Sequence, residues 1–221
     1  MRAEVDRVPA AAALRYSGRM VDLVVFLGNP GKQYEATRHN AGWMVAPQLP
    51  ATGATDAAPP AQAQQKAGGR YETTHVAGNR VWFLWPETFM NRSGECVGRF
   101  CAFFRVDPGR VLVVHDELEL PFGAVSLRRG GGLGGHNGLR SIQSALTTPD
   151  FMRLRVGISR PKHGSVSSWV LSRFSAEEEG FLPHILRAAA ECLDEVLRKP
   201  SEALFTRYRR LEVIPPAGRG R

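Results

Sequence analysis

His39, Asp116 and the asparagines Asn29, Asn91 and Asn137 are the residues of this chain best suited to polar chemistry. A neutral imidazole accepts a proton well near neutral pH, but it needs a partner on its other ring nitrogen to fix tautomer and orientation. A carboxylate at a strand end can be that partner. Taken singly, each residue has an ordinary structural use. A histidine just before an apolar helix can be a plain surface group, and Asp116, closing the run VLVV-His, can cap the following turn. Taken together they form a base and its orienting acid. No nucleophile joins them, because there is no GxSxG elbow and Cys96 and Cys101 fall on a helix whose other residues read as core. A His and an Asp without Ser or Cys point to direct activation of water, with the three asparagines as neutral hydrogen-bonding groups for substrate and oxyanion. Asparagine is also a common turn residue.

Two other chemistries fit less well. Gly130, Gly132 and Gly135 match GxGxxG, and Asp150 follows at the distance a dinucleotide site requires. The context is wrong, however: the preceding strand carries Arg128 and Arg129, and Asp150 sits in a turn after Thr147, Thr148 and Pro149. Gly31 and Lys32 lack the Ser or Thr of a phosphate-binding Walker loop, since Gln33 follows. His39, His115, Asp116 and His136 offer metal-ligand types without a paired spacing such as HxxxH, so no metal site is expected.

These residues lie where strands are expected to end and helices to begin, the edge at which α/β sheets gather their functional groups. Asp22 to Leu27 reads as a buried strand closed by Gly28, Asn29, Pro30 and Gly31. Asn40 to Leu49 suits a helix limited by Pro47 and Pro50, and the Ala/Gln/Pro-rich stretch from Ala51 to Gly69 reads as a surface loop. A hairpin follows, Arg70 to Val76 and Arg80 to Trp85, turning at Gly78 and Asn79, then a helix from Ser93 to Arg105. Strands are expected at Arg110 to His115, Val125 to Arg128 and Leu154 to Ile158, with a helix near Leu139 to Leu146. Ser175 and Glu178 form a capping-box pattern ahead of a helix that Pro183 should kink or restart. Strands interleaved with helices, one pair of them a hairpin, give an α/β fold with a central mixed β-sheet.

The chain of 221 residues suits one domain, set at residues 20–210, with a disordered extension before Met20 and a disordered basic tail at 211–221. Excess Lys and Arg (29 against 21 Asp and Glu, net +8) favours polyanionic partners. No apolar run approaches a membrane span. Three cysteines without a CxxC pair suit buried thiols in a reducing compartment, and no targeting segment is evident, so a cytoplasmic protein is expected.

The motifs FLGNPGKQYEATRHNAG, PETFMNRSGE, VVHDELELPFG and GGGLGGHNGLRSI, in that order, resemble the bacterial-type peptidyl-tRNA hydrolase family over about Asp22 to Arg207. The resemblance implies a single α/β domain, no cofactor, and hydrolysis of peptidyl-tRNA by a monomer without a membrane partner. By motif position, His39 would activate water and Asp116 stabilise its basic form. Asn29 would distinguish a blocked peptide from a free aminoacyl group. Tyr34, Phe89, Asn91 and Asn137 would contact the substrate, with Met90 lining the same cleft, and Arg128 and Arg155 would hold the tRNA 5′-phosphate. Three positions depart from the family pattern: Leu133 replaces a usual His, Trp85 a common Lys, and Ser126 an often basic residue. A non-catalytic RNA-binding relative would keep the basic surface but lose His39 or Asp116, and both are present.

Overall fold

The computed structural model of the chain describes residues 19–49 and 64–214. Eight strands form one sheet in the order β2-β3-β4-β1-β5-β7-β6-β8. At its centre lie β4 (Asn79–Pro86), β1 (Leu23–Phe26), β5 (Val111–Glu117) and β7 (Met152–Gly157), all parallel. The flanking strands, β2 (Gln64–Lys66) and β3 (Gly69–Val76) on one side, β6 (Ala124–Arg129) and β8 (Leu211–Glu212) on the other, run antiparallel to their neighbours. The sheet is therefore mixed, as expected.

Alternation along the central strands divides the core into two layers. Val24, Phe26, Leu112 and Val114 point to α1 (Ala41–Val45) and the long α5 (Ala176–Arg198); Leu23, Val25, Val111 and Val113 point to α2 (Ser93–Phe104) and α3 (Asn137–Leu146). Strands buried on both faces read as unbroken apolar runs, which is why LVVF and VLVV are legible in the sequence. Gly42 lets α1 lie directly on the sheet, since a Cβ there would stand 2.4 Å from the Val114 carbonyl oxygen.

Four expectations need correction. The segment ending at Gly69 is not loop throughout: residues 64–66 pair with β3, and 50–63 lie outside the described residues. The β3–β4 turn is made by Ala77 and Gly78, both at positive φ, while Asn79 already pairs with Val76. The ordered chain continues past Arg210, because Leu211, Val213 and Ile214 pack against the α5-side core and Leu211–Glu212 pairs with β6; residues 215–221 lie outside the description. At the other end Arg19 pairs with Asp22, while the expectation for 1–18 concerns residues outside it. Finally, the helix does not restart at Pro183, which lies inside a continuous α5. Pro183 is exposed, as is Glu179, whose carbonyl loses its amide partner to the proline. The capping box at Ser175 and Glu178 is present.

Candidate active site

The C-terminal ends of the parallel strands share one edge, and β1 lies between β4 and β5, which connect to opposite sides of it. A crevice opens at such a switch point. Here it is a cleft of about 410 Å³ lined by Asn29, Tyr34, His39, Phe89, Met90, Asn91, Asp116 and Asn137, so every expected catalytic and substrate-binding residue reaches one cavity.

Each wall has a local cause. After β1 the chain turns through Asn29 into a 3-10 turn, Arg38–Asn40, that carries His39. Fully buried Asn40 locks this return: its carboxamide accepts from the Asn29 N–H (2.9 Å) and donates to the Asn29 carbonyl (3.0 Å). The Asn29 side-chain oxygen in turn accepts from the Met90 N–H at 2.8 Å, fastening the segment after β4 to the segment after β1. Phe89, 55% exposed, and Tyr34 meet edge to face at the rim. The opposite rim is the short α4 (Val166–Val170), whose Val166, Ser167 and Val170 line the cleft with Leu171. Arg38 sets its height: its guanidinium lies 3.7 Å from the Trp169 ring centroid and bonds Ser172 Oγ, the Arg173 carbonyl and Glu178, the capping residue of α5.

At the base, His39 Nδ1–H donates to Asp116 Oδ1 at 2.9 Å. His136 Nε2–H donates to the same oxygen at 3.0 Å. The tautomer of His136 follows from its neighbours. Its Nδ1 accepts from the Gly138 and Leu139 amides as the N-cap of α3, so the ring proton must sit on Nε2. That ring has no free lone pair on Nε2 for a cation, although His39, Asp116 and His136 place their donor atoms within 4.8 Å of one another. Burial works to raise the Asp116 pKa, but the two imidazoles overcome it and hold the carboxyl well below its usual range. Burial likewise works to lower His39; the charge and hydrogen bond of Asp116 outweigh it and push the imidazole above its ordinary value. His115, by contrast, is fully enclosed and kept neutral, chiefly by burial and by His136, and bonds the Asp116 carbonyl. With Nδ1 committed to Asp116, His39 offers Nε2 to the cleft as a proton acceptor.

Arg128 and Arg155 do not enter this cleft. They share a second cavity, of about 540 Å³, with Ser126, Leu127, Arg129, Glu202, Phe205 and Arg209. Arg155 also pairs with Glu117 at 2.9 Å, and Glu117 lines the first cleft, so the two cavities meet through one carboxylate. The three departures are accommodated locally. Leu133 packs against the α2/α3 core, Trp85 stacks on Phe26 at 5.2 Å, and Ser126 donates to the Arg209 carbonyl. Asp150 is exposed and lies two residues before β7 begins, not at the C-terminal end of a strand where a dinucleotide fold places its acidic residue.

His136 is a cleft residue that the sequence presents only among metal-ligand types, since histidine is not a usual capping residue. Its place just before Asn137, at the mouth of the glycine loop, is the one local signal. The buried Asn40 and the α4 wall carried none.

The comparisons agree with this geometry. A family model described as peptidyl-tRNA hydrolase matches residues 23–215. The chain is 46% identical over 193 residues to a peptidyl-tRNA hydrolase of Treponema pallidum, covering 84% of this chain and 92% of that one. It is 47% identical over 182 residues to one from Nocardia farcinica, covering 82% and 92%. A crystal structure of the peptidyl-tRNA hydrolase from Acinetobacter baumannii superposes with a TM-score of 0.71 at 36% identity, over 80% of this chain and 88% of that one. By motif, fold and the cleft that the fold builds, the chain belongs to the peptidyl-tRNA hydrolase family.

Proposed function

We propose that this protein hydrolyses the ester joining peptide to tRNA in peptidyl-tRNA, with His39 as general base and Asp116 as its orienting acid. The observation that carries the reading is the Nδ1–Oδ1 hydrogen bond of 2.9 Å, which leaves Nε2 as the basic nitrogen of a cleft-lining histidine. Water gives a proton to Nε2 as its oxygen attacks the ester carbonyl. The carbon–oxygen bond to the ribose then breaks, and the imidazolium returns the proton to the leaving ribose oxygen. Asp116 stabilises the cation formed between these steps. Water activation by His39 calls for no metal ion or cofactor.

Asn29 would face the peptide end of the substrate and separate a blocked peptide from a free amino group. Tyr34, Phe89, Asn91 and Asn137 would contact the peptidyl-tRNA, with Met90 beneath them in the cleft. Arg128 and Arg155 would hold the 5′-phosphate in their own cavity, since guanidinium groups suit phosphate and such contacts serve many tRNA sequences alike. Among the described residues no helix is long and apolar enough to cross a membrane. On this reading the enzyme works as a monomer in the cytoplasm, where its substrate arises.

The test is release of labelled peptide from peptidyl-tRNA, with free aminoacyl-tRNA as control. His39→Ala should slow release by about 10²–10⁴-fold while tRNA binding persists. Wild-type turnover in that variant refutes the mechanism.

A further inference from the structure

The largest fully buried side chain among the described residues is an arginine. Arg153 lies on β7, 1% exposed, and none of the ion pairs among the described residues includes it. Its Nη1 donates to the Gly132 carbonyl at 2.8 Å and its Nη2 to the Gly130 carbonyl, while Nε has no partner. Burial, then repulsion from Arg155 and Arg128, brings its pKa down to about 10 against a smaller pull from Glu117, so it remains a cation at neutral pH. A buried charge without a counter-ion is strongly unfavourable, and so is a like charge directly across a strand pair. The second occurs here in full and the first in part, since Glu117 attracts Arg153 without bonding it: Arg128 sits opposite Arg153 in the β6–β7 register, and Arg155 follows on the same face of β7. Glu117, bonded to Arg155, offsets one of the three charges.

The glycine loop connects Arg153 to this surface. With the carbonyls of Gly130 and Gly132 drawn inward, Gly131 between them takes φ +81°. A Cβ on Gly131 would stand 2.5 Å from Arg128 Nη2, so the Arg128 guanidinium rests on bare backbone. We infer that Arg153 is a positioning residue for recognition of the substrate's terminal phosphate: it touches no phosphate, but holds 130–132 beneath Arg128 and adds its positive field to the cavity that Arg128 and Arg155 share. This rests on the phosphate reading of that cavity given above. The positive charge left in excess over Glu117 is then complemented when a dianion arrives.

The test uses the full chain and two substrates, peptidyl-tRNA with and without its 5′-phosphate, and reads the ratio of their kcat/KM values. In the wild type the phosphorylated substrate should be preferred. Arg153→Met should reduce that preference about tenfold, the loss of roughly one charge-assisted interaction. Arg153→Lys, which keeps the charge and reaches one carbonyl, should restore part of it. Gly131→Ala, in an exposed loop, displaces Arg128 without altering Arg153 and should lower the preference too; it decides the matter if Arg153→Met does not fold. A merely structural arginine would slow both substrates by the same factor, and preference retained in both Arg153→Met and Gly131→Ala overturns the inference. If the wild type shows no preference, the phosphate reading of the cavity itself fails, and the assignment of Arg153 with it.

Discussion

Replacing His136 by Asn separates two jobs that one imidazole now performs. Asparagine is among the best N-cap residues, so the bonds to the Gly138 and Leu139 amides can be remade, but its side chain is too short to reach Asp116. Asp116 Oδ1 then loses one of the two N–H groups that the structure gives it, in a site only 2% exposed. A hydrogen bond to a buried charge contributes about 1.5–3 kcal/mol. Part of that loss reappears as a stronger pull on the proton of His39, because the oxygen that both imidazoles share becomes more basic. If about half is transferred, roughly 0.7–1.5 kcal/mol now favours the protonated imidazole, and the His39 pKa, already raised, climbs further. The base works only when unprotonated. The acidic limb of the kcat/KM profile should therefore move to higher pH, with activity below the limb reduced about tenfold and the plateau less affected. His136→Ala should show the same shift together with a further stability loss of about 1 kcal/mol from the missing cap. The measurement is peptide release across the imidazole titration range, paired with thermal unfolding. A limb that stays in place or moves to lower pH refutes the shared-oxygen argument.

Asp116→Asn should move the same limb the opposite way, to lower pH, because the charge that raises His39 is gone. Its plateau should fall about 10²–10⁴-fold, since the imidazolium loses its support; a pH profile matching the wild type would refute the assigned role. Asn40→Ala removes both bonds that fix the Asn29 backbone and should cost about 2–3 kcal/mol in chemical denaturation, with a loss of discrimination between blocked and free aminoacyl esters. Unchanged discrimination would show that Asn29 needs no such anchor. Gly42→Ala, whose Cβ would meet the Val114 and Leu27 carbonyls at 2.4 and 2.5 Å, should destabilise by about 2 kcal/mol or more, and a wild-type melting temperature would contradict the close packing of α1.

What the sequence made legible were the features written locally. LVVF and VLVV are apolar without alternation because both faces of the central strands are covered, and the turn residues after them mark where the cleft opens. Gathering His39, Asp116, Asn29, Asn91 and Asn137 at one edge followed from those boundaries and from the motif resemblance. What stayed hidden depends on partners distant in sequence. β8 is two residues long and has no periodicity of its own; it exists because β6 offers an edge. Arg153 and Arg155 alternate with apolar residues as a half-exposed strand would, and nothing in MRLRVG tells that the glycine loop covers the first of them. Pro183 reads as a kink or a restart, and α5 continues through it on an exposed face.

The three cysteines give the folded molecule a set of internal clocks. All are free and buried; enclosure pushes Cys96 and Cys101 up to about 12 and Cys192 higher still, so none presents a thiolate to solvent while the layers are closed. Cys96 and Cys101 belong to α2 on one side of the sheet and Cys192 to α5 on the other. Alkylation of each thiol under native conditions therefore times the opening of one layer independently of the other. Equal rates at all three would mean that both layers part in a single cooperative event. Faster capture of Cys192 than of the α2 pair would mean that the α5 side loosens first, behind a cleft that is still assembled.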